Sequence, residues 1–227
     1  MTEIRRVLIW SGWLRVSHWS VALSTLVLLS SGWLIGNSPL QAELALEYHY
    51  LAVSVLVFGL VLRVAIFFRG KDHERLGALF PGPSEIKAVW QMLVFYLSLG
   101  RQPLPNWYAH NPLWKMIYVF WYLALLLLLG SGVFMADNAI VLGFYLPSVH
   151  AFWASMVFWV TVLHMISLFA HDYYAKSTDI SAMINGYRLF EVESQAKDGL
   201  QGTPVVLQSM ESLLTRRVIT RHSGHQE

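Results

Sequence analysis

The sequence predicts an all-α integral membrane protein, a bundle of four transmembrane helices, and three observations lead to this prediction. The chain is 56% hydrophobic and only 13% charged, whereas a soluble domain carries about 25% charged residues. Its mean hydropathy is +0.47. Four apolar segments have the roughly 20 residues that a helix needs to cross the hydrocarbon core of a bilayer. They lie at approximately 18–36, 48–68, 113–135 and 147–170.

The first apolar segment follows a basic start that contains Arg5, Arg6 and Arg15. No clear small-residue cleavage site follows it, so we expect a retained helix and not a cleaved signal peptide. Trp, Tyr and Phe flank several of the segments, as expected of side chains that anchor helices at the membrane interface.

A shorter apolar segment at 84–99 is predicted to form an additional helix. Ser84 is suited to cap its start and Gly100 to end it. Sixteen residues span only about 24 Å as a helix, and Glu85 and Lys87 lie in the first turns. We expect this helix to lie in the cytoplasmic membrane interface. The alternative is a cytoplasmic helix that packs on a partner protein.

The basic residues predict the orientation of the bundle. The loops at 37–47 and 136–146 contain no Lys or Arg. The start of the chain, the connection between the second and third spans, and the segment after the fourth all carry them, at Arg5, Arg6, Arg15, Arg69, Lys71, Arg75, Lys87, Arg101, Lys176, Arg188 and Lys197. Under the positive-inside rule both termini are cytoplasmic. We therefore expect a membrane domain at 1–190 and a polar cytoplasmic tail at 191–227.

Cysteine is absent from the chain. This excludes disulfides, thiolate ligation of an iron–sulfur cluster and the CxxCH attachment of c-type haem. Any iron–sulfur cluster in an electron pathway through this protein must belong to a partner. We expect membrane lipid around the chain and no nucleic acid among its partners.

His150 and His164 lie 14 residues apart on the fourth apolar segment. This spacing is close to four helical turns, so both imidazoles face nearly the same way, about 21 Å apart along the axis. His18 is expected near the cytoplasmic side of the first span, and His49 near the outer side of the second. Depth therefore pairs His18 with His164 and His49 with His150. Two imidazoles fill both axial positions of a haem iron, so the pattern predicts two haems held between helices.

The other histidines fit this role less well. A single membrane histidine can also hydrogen-bond a neighbouring helix, but two pairs matched in depth favour haem ligation. We expect His73, His222 and His225 to be solvated. His171 would be a ligand only if the assignment of His164 were wrong.

Glycines and arginines are expected to support the haems. Gly32, on nearly the same face of the first span as His18, and Gly59 would let a ring approach the backbone, and Gly130 and Gly132 would act in the same way. Ordinary helix packing is the alternative for all four glycines. Arg15 and Arg63 lie near the expected depth of the inner haem and are candidates to pair with its propionates.

These residues carry a family resemblance over approximately 5–190. The chain resembles the bacterial cytochrome b561 family, in particular the b-type cytochrome subunits of nickel–iron hydrogenases and the related thiosulfate reductase and formate dehydrogenase gamma subunits. The matching features are the Arg-Val-Ser-His-Trp run at 15–19, His49, the His-Asn-Pro-Leu run at 110–113, the His150/His164 pair and the Ile-Asn-Gly-Tyr-Arg run at 184–188.

The resemblance implies two haem b groups in a bacterial inner membrane and an electron path between a periplasmic-side oxidoreductase and the quinone pool. The implied partners are an iron–sulfur subunit and a catalytic subunit, hydrogenase-like in the leading interpretation. The implied substrate is menaquinone or ubiquinone near the cytoplasmic face. Asn111 is similar in position to a quinone-contacting asparagine of the formate dehydrogenase type, with His110 and His164 nearby. Capping of the third helix by Asn111 is an equal and compatible alternative.

Two further functions compete with this interpretation. A stand-alone cytochrome of the same four-helix type would oxidise superoxide and reduce quinone without a protein partner, but the long 72–111 connection and the long tail exceed what it needs. A scaffold without redox chemistry would leave the paired histidines unexplained. The sequence leaves open whether the chain is itself an enzyme, as well as the donor, the quinone species, the direction of electron flow and the oligomeric state.

Overall fold

A computed structural model describes residues 2–137, 139–175 and 179–193 of the chain. The elements run in the order β1 (Thr2–Leu8), α1 (Gly12–Asn37), α2 (Ala42–Arg69), α3 (Ile86–Leu97), α4 (Pro112–Phe134), β2 (Ile140–Val141), β3 (Phe144–Tyr145), α5 (Leu146–Ala175), α6 (Asp179–Asn185) and β4 (Tyr187–Glu193).

The helices α1, α2, α4 and α5 are long and apolar enough to cross a membrane. Each covers one of the four predicted spans, which confirms the four-helix prediction. They form two helical hairpins, because α1 packs along α2 and α4 packs along α5. α1 begins earlier than the predicted span, because the Ser11 side chain caps it by accepting from the Leu14 amide. The backbone amide of Ser11 in turn donates to Glu74 over 2.7 Å.

The described part of the mostly helical chain also contains two pairs of strands that were not predicted. β1 and β4 form an antiparallel pair, from Thr2 opposite Glu193 to Leu8 opposite Tyr187, and β2 and β3 form a short hairpin. A strand whose partner lies beyond all four long helices leaves no periodic signal of its own, which is why it was not predicted. The pairing brings the start of the chain and the segment after α5 to the same end of the bundle, here called the inner end.

The additional helix exists as α3 and packs against α4. Its Met92 and Phe95 are buried, and Lys115 of α4 forms an ion pair of 2.6 Å with Glu85, just before α3. The opposite face carries exposed Ile86, Trp90 and Leu97. α3 therefore packs on its own chain, and its position in the membrane interface stays a prediction that this apolar face favours.

Residues seven positions apart face the inside of the bundle on all four long helices. Seven residues are close to two turns, or about 10.5 Å, so the inward side chains form three layers. The inner layer consists of His18, Arg63, Tyr118 and His164; the middle layer of Thr25, Leu56, Leu125 and Val157; and the outer layer of Gly32, His49, Gly132 and His150.

The middle layer is the packed centre of the bundle. Leu56, Leu125 and Val157 belong to one hydrophobic cluster with Ala124, and each of the three is 2% exposed. Thr25 on α1 is also buried. An apolar centre thus holds the two hairpins together and separates the histidines of the inner layer from those of the outer layer.

The segment 194–227 and the residues 176–178 lie outside the described residues. The predictions for the polar tail, for Lys176 and Lys197, and for His222 and His225 fall there. β4 crosses the expected domain boundary at 190 and ends at Glu193.

Candidate haem-binding site

His18 and His164 face each other across the inner layer. Their ring centroids are 6.5 Å apart and their planes are inclined by 60°. His18 is half-buried on α1, and His164 lies four turns below His150 on α5. Trp114 and Tyr118 of α4 pack edge-on against His164, with ring centroids 5.2 and 6.4 Å away. Three helices thus meet around this pair.

His49 and His150 form an equivalent pair in the outer layer. Their ring centroids are also 6.5 Å apart, with an angle of 53° between the planes. His49 comes from α2 and His150 from α5, so each pair joins the two helical hairpins. The structure therefore brings together the same residues that depth along the spans had paired.

The separation within each pair fits two imidazoles on one metal ion. A metal–imidazole bond is about 2 Å long, and each ring centre lies about 1 Å beyond its coordinating nitrogen, so two trans imidazoles have centroids about 6 Å apart. Both observed separations are close to this value. A flat macrocycle such as haem, held between two helices, would be bound by one imidazole from each helix.

Each histidine of the outer pair is also held by a serine that the sequence analysis did not single out. Ser31 Oγ of α1 lies 2.9 Å from His49 Nδ1, and Ser131 Oγ of α4 lies 3.0 Å from His150 Nδ1. The available signal was a Ser-Gly dipeptide at 31–32 and at 131–132, although the same dipeptide also occurs at 11–12 and 223–224.

The glycines divide between two roles. A Cβ on Gly32 would lie 3.7 Å from His49 Cε1, and one on Gly132 would lie 3.4 Å from His150 Cε1. Both therefore face the outer pair. Gly59 instead lies between α1 and α2, where a Cβ would come within 2.9 Å of Val21. This contact favours helix packing as the role of Gly59, while a Cβ on Gly130 would meet nothing within 4 Å.

Arg63 brings a buried positive charge to the inner layer. It is 5% exposed, its Nε donates to the Tyr122 hydroxyl over 3.2 Å, and its guanidinium lies over the Phe67 ring. Within the described part of the chain, its Nη1 is buried without a hydrogen-bond partner. Arg15, which donates to the Ile184 carbonyl, has an Nε in the same condition. Buried guanidinium donors without partners fit the carboxylates of a bound haem.

The match to a family model decides the class of the protein. Residues 9–186 match the model of the prokaryotic cytochrome b561 family. The chain belongs to this family. It is therefore a multi-pass membrane protein and a b-type cytochrome, a class that transfers electrons through haem b, and the resemblance inferred from its histidines is confirmed.

Several curated proteins are similar to this cytochrome over most of its length. A probable Ni/Fe-hydrogenase B-type cytochrome subunit of Cupriavidus necator is 26% identical over 222 residues, covering 83% of this chain and 89% of the relative. Its counterpart in Azotobacter vinelandii is 28% identical and covers 78% and 86%. A probable Ni/Fe-hydrogenase 1 B-type cytochrome subunit of Escherichia coli K12 is 23% identical and covers 77% and 87%. No solved structure matches the chain significantly.

His110 and Asn111 of the cytochrome are neighbours in sequence but point to different surroundings. The His110 ring packs on Trp10 and Tyr118, with centroids 4.9 and 6.0 Å away. Burial, reinforced by the charges of Arg63 and Lys115, lowers its pKa to about 3, so its imidazole is neutral. Asn111 Oδ1 accepts from the Leu113 and Trp114 amides. Asn111 therefore caps α4, as one of the two interpretations predicted.

The Asn111 side-chain amide extends a buried hydrogen-bond chain around His171. Trp114 Nε1 donates to the Tyr96 hydroxyl over 2.9 Å, and this hydroxyl lies 2.7 Å from His171 Nε2. Since an indole N–H only donates, the Tyr96 oxygen is the acceptor of the bond from Trp114. Asn111 Nδ2 is 3.4 Å from the same His171 nitrogen. His171 is thus a buried member of this chain, about two turns beyond His164 on α5.

An ion pair continues this network toward the segment after α5. Asp179 Oδ2 lies 3.7 Å from His171 Nδ1, and Asp179 Oδ1 lies 3.0 Å from Arg188 Nε. Burial raises the pKa of Asp179, although the Arg188 guanidinium beside it acts in the opposite direction. Arg188 Nη1 also donates to the Trp107 and Tyr108 carbonyls. The network joins α3, α4, α5, α6 and β4.

The expectation that His73 is solvated is wrong. Its Nε2 donates to the Ile9 carbonyl, and its ring packs edge-on against Trp10 and Tyr108. His73 is half-buried. The long connection after α2 folds back onto the start of α1, and this long-range contact draws the histidine out of water.

We expect Asp179→Ala to loosen α6 and β4, because it leaves the 6%-exposed Arg188 without its counter-ion. Breaking a buried pair in this way costs about 3–5 kcal/mol. Amide hydrogen exchange across 179–193 measures the effect, and the exchange should become markedly faster. Asp72→Ala is the control, since its ion pair with Arg75 is exposed. Equal exchange in the two variants would contradict a role for the Asp179–Arg188 pair.

Proposed function

We propose that this cytochrome holds two haem b groups, one between His18 and His164 and one between His49 and His150, and conducts electrons across the membrane between them. The observation that carries the proposal is the equal 6.5 Å separation of the ring centroids in both pairs. A bound haem supplies reversible one-electron transfer. The protein would supply the imidazoles of the four histidines and the buried guanidinium of Arg63.

The proposed orientation has the inner end in the cytoplasm of a bacterium and the β2–β3 hairpin on the periplasmic side. The loops near the hairpin contain no Lys or Arg, while the connection between α2 and α4 carries Arg69, Lys71, Arg75, Lys87 and Arg101. The positive-inside rule supports this direction. The β1–β4 pairing, which keeps both described ends of the chain on one side, is compatible with it.

The proposed partner is a periplasmic-side redox enzyme, hydrogenase-like, that transfers electrons through an iron–sulfur subunit. Two facts support it. The relatives from C. necator and A. vinelandii carry the name of hydrogenase cytochrome subunits, and this chain has no cysteine with which to bind a cluster of its own.

The proposed electron acceptor or donor inside the membrane is menaquinone or ubiquinone, bound at the inner end. Full reduction of a quinone takes two electrons and two protons, so its site needs polar groups beside the inner layer. His110 and Asn111 lie there, and Tyr118 and Trp114 connect them to His164 by ring contacts. The Asn111 amide has two N–H groups that can donate, and its contact with His171 Nε2 is long, at 3.4 Å.

We expect His49→Ala and His150→Ala each to remove the same single haem, because each deletes one axial ligand of one pair. The haem content should fall from two to one per chain in a pyridine haemochrome assay, with the same spectral component missing from both variants. His18→Ala and His164→Ala should remove the other component. His73→Ala is the control and should retain both haems. The pairing is wrong if His49→Ala removes the component that His18→Ala removes.

We expect Asn111→Ala to slow quinol oxidation about fivefold with both haems retained, the effect of losing one hydrogen bond worth about 1 kcal/mol. Asn111→Ser separates the two roles of this residue, because serine also caps a helix but has no amide. If the amide contacts quinone, the two variants should be slowed alike. Normal rates in Asn111→Ser, measured with the haems as spectroscopic indicators, would reduce Asn111 to a helix cap.

We expect a cysteine-rich iron–sulfur protein and its catalytic subunit to accompany this cytochrome when the complex is purified from its native membrane in mild detergent. Mass spectrometry of the purified material identifies the accompanying chains. A protein that purifies alone with its haems bound would contradict the partner proposal. It would favour the stand-alone cytochrome that oxidises superoxide and reduces quinone.

A further inference from the structure

We infer that Ser31 and Ser131 are positioning residues that fix the tautomer of His49 and His150 and thereby lower the reduction potential of the outer haem. Each serine belongs to a Ser-Gly dipeptide, 31–32 on α1 and 131–132 on α4. Each dipeptide faces one histidine of the outer pair. The inference rests on the proposed ligation of a haem by His49 and His150.

The number of protons on each serine hydroxyl determines which ring nitrogen of the neighbouring histidine carries a proton. A serine hydroxyl has one proton, and Ser31 donates it to the Val27 carbonyl over 2.7 Å. At its contact with His49, 2.9 Å away, the Ser31 oxygen therefore accepts. The proton of this bond comes from His49 Nδ1, and Nε2 is left with a free lone pair for a metal.

The same count holds for the second serine. Ser131 donates to the Leu127 carbonyl over 2.7 Å, so its oxygen accepts from His150 Nδ1 over 3.0 Å. The Nδ1–H tautomer of His150 is thus selected in the same way as that of His49.

The glycine of each dipeptide provides the room for this contact. Gly32 and Gly132 follow the serines directly and face the Cε1 atoms of His49 and His150. A side chain at either position would reach toward the imidazole that the preceding serine orients. Glycine and serine therefore act together, one by leaving space and the other by accepting the Nδ1 proton.

The inner and outer layers differ in whether side chains hydrogen-bond the imidazole nitrogens. Among the residues that the structure describes, no side chain hydrogen-bonds the ring nitrogens of His18 or His164, which are surrounded by aromatic rings. A ligating imidazole that donates its other N–H is more basic toward the metal. A more basic ligand favours the oxidised ion over the reduced one. The serines therefore lower the potential of the outer haem and leave the inner one unaffected.

The test is a redox titration of each haem in Ser31→Ala, in Ser131→Ala and in the double variant, with the full chain purified in its haem-loaded form. We expect the midpoint potential of the outer haem to rise in each single variant and to rise further in the double variant. The inner potential should not move. We also expect haem binding at the outer site to weaken about tenfold in each single variant, measured as haem transfer to apomyoglobin.

The controls are Ser30→Ala and Ser155→Ala, which remove hydroxyls that, among the residues the structure describes, bond only to a carbonyl of their own helix. Both should have wild-type potentials. Ser31→Thr retains a hydroxyl and should restore the wild-type outer potential. An outer potential that stays unchanged in the double variant, or one that moves together with the inner potential, overturns the inference while two haems remain bound. If instead the wild-type protein binds no outer haem, it is the proposed function that fails.

Discussion

The arrangement of this bundle depends on the seven-residue spacing of its inward side chains. Two helical turns advance the chain by about 10.5 Å and return it to nearly the same face. When four antiparallel neighbours keep this spacing, their inward residues meet in layers, and the composition of each layer determines what it can hold. Two layers contain a histidine pair that spans the two hairpins, with 6.5 Å between the ring centroids in both. The layer between them contains the buried residues Leu56, Leu125 and Val157.

The inner and outer histidine layers differ in how they offset the cost of placing polar groups inside a membrane. Polar groups inside a membrane have no water to bind, so the protein must provide their partners. In the outer layer, serines that already bond to their own helices accept the imidazole protons. In the inner layer, aromatic rings surround the histidines, and one guanidinium nitrogen of the buried Arg63 has no hydrogen-bond partner among the described residues. The outer layer thus completes its hydrogen bonds within the protein, whereas the inner layer leaves positive charge for a carboxylate.

The features that could be predicted from the sequence are those that depend on patterns within a single segment of the chain. Long apolar runs located the four spans, and their depth matched His18 with His164 and His49 with His150. Contacts between distant segments were not predictable in this way. β1 pairs with a strand that follows the last long helix, His73 is buried by a loop that returns to Ile9, and Gly59 packs on a neighbouring helix. Each depends on which surfaces meet in space, and a local pattern carries no information about that. The serines are intermediate, because a repeated Ser-Gly dipeptide was visible but its orientation toward a histidine was not.

The middle layer has a consequence for the energy stored across the membrane. An electron can tunnel through a thin layer of packed hydrocarbon, but a proton moves only along a continuous chain of hydrogen-bonding groups. Leu56, Leu125 and Val157 offer no such groups. In the described part of the chain, the Thr25 hydroxyl beside them is buried without a hydrogen-bond partner. With haems bound at both ends as proposed, this centre would let electrons pass between them while offering no hydrogen-bonded path along which protons could cross.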